Sequence, residues 1–155
     1  MKQLLIVPLA ALAFGLSSCS KSGGDSIDLK DQTAINRVSE CPQISGKYCL
    51  EDRSDCTNYD LSGGTFHEGS DYDSNPLDIP IDGAIHDKET YHSGNYIQYK
   101  AQAYCSGGTL TVTIHAGDKG AAREVITGDD RSIRVEVKGV GRASKNSGTH
   151  TYYKR

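Results

Sequence analysis

The alternation between residues 97 and 137 constrains the fold most. Ile97, Tyr99, Ala101, Ala103 and Cys105 fall on one side of an extended chain, and Gln98, Lys100 and Gln102 on the other. Leu110, Val112, Ile114 and Ala116 alternate in the same way with Thr111, Thr113 and His115. Ile133, Val135 and Val137 alternate with Arg134, Glu136 and Lys138. Successive side chains of a strand point to opposite faces, so this pattern reads as antiparallel strands with one face packed and one wet. Turn residues separate the runs: Ser106-Gly107-Gly108, Gly117-Asp118-Lys119-Gly120, Gly128-Asp129-Asp130 and Lys145-Asn146-Ser147-Gly148. The spacing predicts strands at 95–105, 109–116, 121–127, 132–140 and 149–154. Upstream, 44–50 reads as a strand with Ile44, Tyr48 and Leu50 inward, and 58–67 and 77–86 each offer one more. Helix signals are nearly absent. The fold class is therefore all-β, a small antiparallel meander of about seven or eight strands forming a barrel or a sandwich. A barrel has the advantage that closure removes exposed sheet edges.

Residues 41–155 contain only 18 Leu, Ile, Val and Phe, a thin supply for a core. All nine tyrosines lie in this segment and add bulk. So do Cys41, Cys49, Cys56 and Cys105, an even set that suits two disulfides if the chain is exported. Three connectivities are open. The polar stretch Glu51-Asp52-Arg53-Ser54-Asp55 looks like a hairpin turn, which favours Cys49 with Cys56 and leaves Cys41 with Cys105. Zinc held by the same four thiols is the rival, but no CxxC pair is present.

Export is legible at the N-terminus. Met1-Lys2 precedes an apolar run from Leu4 to Leu16, too short for a membrane span, which takes about 20 apolar residues. Leu16-Ser17-Ser18-Cys19 resembles the lipobox of bacterial lipoproteins. The resemblance implies diacylglyceryl transfer to Cys19, cleavage before it and acylation of the new amino terminus, palmitate being a usual acyl chain. Cysteine suits this role because its thiolate is a strong nucleophile. Several acyl chains hold far more firmly than one, at about 0.8 kcal/mol per buried methylene. Ser20, where an Asp would resemble an inner-membrane retention signal, points to the outer membrane. The chain then divides into a signal peptide (1–18), a lipidated Cys with a flexible tether (19–40) and a β domain (41–155). Residues 32–40 carry a weak signal for a helical turn or two.

Gly46-Lys47-Tyr48 at the start of the first strand resembles the Gly-x-Trp opening of lipocalins and avidins, with Tyr in place of Trp. In those barrels a basic residue on the last strand covers the aromatic, a role that falls here to Lys154 or Arg155. The absence of Trp argues against a biotin pocket of the avidin kind.

Three groups of residues bear on chemistry. Asp71, Asp73, Asn75, Asp78 and Asp82 supply oxygen ligands at a spacing that suits calcium. Pro76 stands where an EF-hand loop needs Gly, and Asp82 where it has a longer Glu, so a solvated Asn-Pro turn is the plainer reading. His86, Asp87, Glu89 and His92 offer zinc or copper ligands within seven residues, without the spacing of a closed site. His67, His115 and His150 are scattered and read as lying on polar faces. No Gly-x-Ser-x-Gly elbow and no HExxH occurs, and the carboxylates fall mostly in polar loops where little desolvation is available to tune them.

Charge is uneven. Residues 41–90 hold 3 basic and 11 acidic groups, and 91–155 hold 10 basic and 5 acidic. Mutual neutralisation of the two halves is the simplest reading, and a basic face toward anionic lipid or polysaccharide the alternative. The overall charge of −3 argues against nucleic acid as a partner. Tyr96, Tyr104, Tyr152 and Tyr153 suit either a recognition surface or a core short of Phe and Trp. The expectation is a lipid-anchored protein of the cell envelope, a non-catalytic binding or structural module whose partner is a protein or a small apolar ligand. The alternative is a periplasmic enzyme or enzyme inhibitor.

Overall fold

The computed structural model describes residues 26–69, 76–92 and 95–155. Ten strands follow in chain order: β1 (Ser45–Cys49), β2 (Cys56–Asp60), β3 (Thr65–Gly69), β4 (Leu77–Pro80), β5 (His86–His92), β6 (Asn95–Ser106), β7 (Thr109–His115), β8 (Gly120–Gly128), β9 (Ser132–Gly141) and β10 (Gly148–Lys154). They form one antiparallel sheet of order β4-β3-β2-β1-β10-β9-β8-β7-β6-β5, curled into a nearly closed barrel. Among the described residues the only helical elements are short 3-10 turns.

The five C-terminal strands stand where the alternation places them. The expected strands 58–67 and 77–86 each divide in two, which raises the count to ten. The first breaks at Ser62–Gly64, where Gly63 and Gly64 adopt φ of 63° and 73°. The second breaks at Gly83, with φ of 77°. Left-handed backbone cannot continue a strand, so each site turns the chain.

The barrel closes along the outer edge of β6. Beyond Ala101, where β5 pairing ends, Ile81 forms a parallel bridge with Ala103. The Gly83 N–H donates to the Ala103 carbonyl at 3.0 Å. One step further, the Arg37 N–H donates to the Cys105 carbonyl at 2.8 Å, and the Cys105 N–H donates to Asn36 Oδ1 at 3.0 Å. An edge that would otherwise leave polar backbone unpaired is thereby satisfied. The Cys41–Cys105 disulfide staples this seam, and Cys49–Cys56 crosses the β1–β2 hairpin, the pairing favoured by its polar turn.

The stretch 26–40, expected within a flexible tether, lies against the barrel instead. Ile27 is buried, Arg123 Nη2 donates to the Asp28 carbonyl at 3.1 Å, and Gln102 Nε2 donates to the Lys30 carbonyl at 2.6 Å. This strap covers the outward side of β6–β8, which explains why the outward-facing Gln102 and Thr113 are buried. It then turns around the seam through a 3-10 turn at Val38–Glu40.

Inside, Tyr48, Phe66, Leu110, Ile114, Ile126 and Tyr152 are among the fully buried side chains. Each large apolar side chain so buried contributes about 1.5–3 kcal/mol. Tyr48 meets Tyr59 edge-on at 6.1 Å, and Tyr59 stacks on Phe66 at 6.1 Å. Tyrosine thus replaces the missing Trp and Phe, and the Tyr48 hydroxyl finds a partner by donating to the Asp129 carbonyl at 3.2 Å. Tyr91, Tyr96 and Tyr153 remain exposed. Lys154 stands opposite Tyr48 in the β1–β10 ladder. The 3-10 turn Arg142–Asn146 folds over one end of the barrel and inserts Ala143 into the core.

Candidate functional site

The inward face is not wholly apolar. On β8 the inward positions are Ala122, Glu124 and Ile126, paired with Ile114, Val112 and Leu110 of β7. On β3 they are Phe66 and Glu68, with Glu68 opposite Tyr59 of β2. Tyr152 of β10 points into the same space. The strand register alone puts these groups there: two carboxylates at sites where alternation demands an apolar side chain.

Glu124 is 4% exposed, and its Oε2 makes no hydrogen bond among the described residues. Burial pushes its carboxyl up to about 7, because a low-dielectric surround penalises the charged form. Burial also raises the Tyr59 and Tyr152 phenols well above their ordinary value, and the carboxylates of Glu68, Glu124 and Asp55 raise them further. Both phenols therefore keep their protons. Glu68, Glu124 and Asp55 all act on both phenols, so the five side chains lie near one another.

Asp55 and His150 stand half-buried at the outer side of this group. Burial raises the Asp55 carboxyl, offset in part by the Cys56 N–H and His150. Asp55 Oδ2 is buried and has no hydrogen-bond partner among the described residues. The His150 ring lies 6.5 Å from that of Tyr152, at 60°. His150, expected on a polar face, shares the inward side with Tyr152 by strand register. Such a group can accept hydrogen bonds from a cation and present ring faces to it. A carboxyl near 7 beside other acids also suits proton transfer.

Sequence reasoning missed this constellation: Glu68 and Glu124 are buried strand residues, exceptions to the loop placement expected of most carboxylates. The signal was available: in Ala122-Arg123-Glu124-Val125-Ile126, the acid occupies the position that the alternation assigns to the core.

The other candidates are dispersed. Cys19 lies outside the described residues, as do Asp71, Asp73 and Asn75. Asp78 projects outward from β4 and meets His67 Nδ1 at 2.5 Å. Asp82 accepts from the Ala84 N–H at 2.9 Å, and both its oxygens lie 3.0 Å from His86 Nε2. The two acids thus engage different histidines. His86 and Asp87 point to opposite faces of β5, and Asp87 pairs with Lys100 at 2.7 Å. Among the described residues no three His, Cys, Asp or Glu side chains gather as a metal site. Outside the barrel, an open groove of about 1180 Å³ runs between the strap and the β5–β6 hairpin, lined by Asp28, Leu29, Asp87, Lys88, Lys100 and His115 among others.

No protein-family model matches the chain, and no curated protein and no solved structure matches it.

Proposed function

We propose that this chain is a lipid-anchored protein of the outer membrane whose β domain binds a small ligand without turning it over. The ligand carries a cationic amine, seated against Glu124 and Glu68 and flanked by Tyr59 and Tyr152. The observation that carries this reading is the Glu124 carboxylate, nine-tenths buried with an oxygen lacking a hydrogen-bond partner among the described residues. A buried carboxylate costs several kcal/mol unless a proton or a cation compensates it. An amine does so more completely than the purely apolar ligand that a barrel first suggests. Two disulfides and a docked strap suit a binding scaffold that must hold its shape outside the cell.

The test is thermal unfolding at pH 8 with n-butylamine and putrescine as probes, against sodium chloride at matched ionic strength. A saturable rise in melting temperature that vanishes in Glu124→Gln supports the reading. No rise, or an equal rise in the variant, contradicts it. The carboxyl near 7 favours a second reading, acid–base catalysis by the same group.

A further inference from the structure

We infer that the barrel rests on the lipid bilayer through the outer side of its β5–β6 hairpin, with Tyr91 and Tyr96 at the interface. This rests on lipidation of Cys19, proposed above. Only residues 20–25 separate Cys19 from Ser26, where the described strap begins. A fully extended chain rises at most about 3.6 Å per residue, so whatever its conformation this spacer reaches no further than about 25 Å. A compact domain of this size has a radius of gyration of about 14 Å, and hence a diameter exceeding that reach. The membrane therefore meets the part of the barrel where the strap starts.

The strap starts on the outward side of β6–β8. The Asp28 carbonyl is held by Arg123, and Asp28 and Leu29 border Gln98, Lys100, His115 and Gly117. Two residues along the same ladder stand Tyr91 and Tyr96, a cross-strand pair on that outward side. Their rings meet edge-on at 5.1 Å, with Tyr91 51% and Tyr96 73% exposed. Tyr96 is the most exposed of the large apolar residues of the described chain. Tyrosine favours the bilayer interface because its ring is apolar and its hydroxyl stays wet. The turn at 129–131 and Tyr153 lie toward the other end of the barrel, where Gly128 pairs with Ile133 and Tyr153 with Ser132.

Tyrosine modification on lipidated full-length protein tests this, in phosphatidylethanolamine–phosphatidylglycerol vesicles and in detergent. Flotation and intact mass come first: protein that fails to float, or lacks acyl mass, refutes lipidation itself. In floating protein, tetranitromethane is expected to lose most of its reaction at Tyr91 and Tyr96 on transfer from detergent to vesicles, with reaction at Tyr153 unchanged. Equal reaction of all three, or protection of Tyr153 alone, overturns the docking face while leaving the anchor intact. Tyr91→Ser/Tyr96→Ser checks the cause: reaction at Tyr153 in vesicles should change as the barrel loses its fixed orientation. If it does not, the pair is not what orients the barrel.

Discussion

Gln32 lies directly against Gly83. Its N–H donates to the Gly83 carbonyl at 2.9 Å, and a Cβ on Gly83 would fall 2.6 Å from the Gln32 carbonyl carbon. The strap and the barrel seam meet at this contact, because Gly83 also donates to Ala103 and accepts from Gln102 Nε2 at 2.7 Å.

Gly83→Ala is expected to cost more than its backbone conformation alone explains. Gly108 supplies the control: its φ of 75° nearly equals the 77° of Gly83, but nothing lies within 4 Å of its missing Cβ. Gly108→Ala should cost about 1 kcal/mol, and Gly83→Ala about 2–4 kcal/mol because the strap must also lift. Urea unfolding of both variants measures the difference, and equal costs would mean the strap does not bind tightly.

Gln102→Leu should destabilise the fold by about 1–3 kcal/mol. It removes the donors to the Lys30 and Gly83 carbonyls and leaves both acceptors under the strap. Limited proteolysis should then release residues N-terminal to Gln32 before the barrel opens. Simultaneous cleavage throughout would contradict an independently docked strap.

Stability should depend on pH through Glu124. Its carboxyl stands at about 7 in the fold against an ordinary value of 4.5, so the folded state holds the proton more tightly. The resulting stability is present below about pH 4.5 and declines as pH rises toward and through 7. The lowered carboxyls of Asp31, Asp52, Asp82 and Asp129 act in the opposite sense but only at lower pH. Glu124→Gln should flatten the slope between pH 5 and 8 and raise stability at pH 8 in the absence of amine. An unchanged slope would show that Glu124 is not buried as described.

The disulfides should differ in weight. Cys41–Cys105 spans 64 residues and Cys49–Cys56 spans 7. Loop-closure entropy gives about 4 kcal/mol for the first and about 2.5 kcal/mol for the second. Paired Ser substitutions, compared by denaturant unfolding, should reproduce that order. A reversal would place the main constraint in the hairpin.

The C-terminal half was readable because its strands alternate cleanly, with Gly or Asn between them. The N-terminal half was less so. Ser62-Gly63-Gly64 is a visible turn, but its flanking strands are only five residues each, too short to show a period. The strap left almost no trace in the sequence. It binds through backbone carbonyls that answer Gln102 and Arg123, and such partners have no periodicity. The interior acids were readable in principle, since Glu124 breaks an otherwise apolar set at a fixed register. They were overlooked because carboxylates are rarely buried, so acidity alone suggests a loop.

The most direct measurement of the whole account is intact-mass spectrometry of the protein extracted from native membranes without reductant. The expected result is a chain beginning at Cys19, carrying diacylglyceryl and an amide-linked acyl chain, with four sulfurs oxidised as two disulfides. A chain that retains residues 1–18, or carries an unmodified Cys19 with free thiols at 41 and 105, would contradict it.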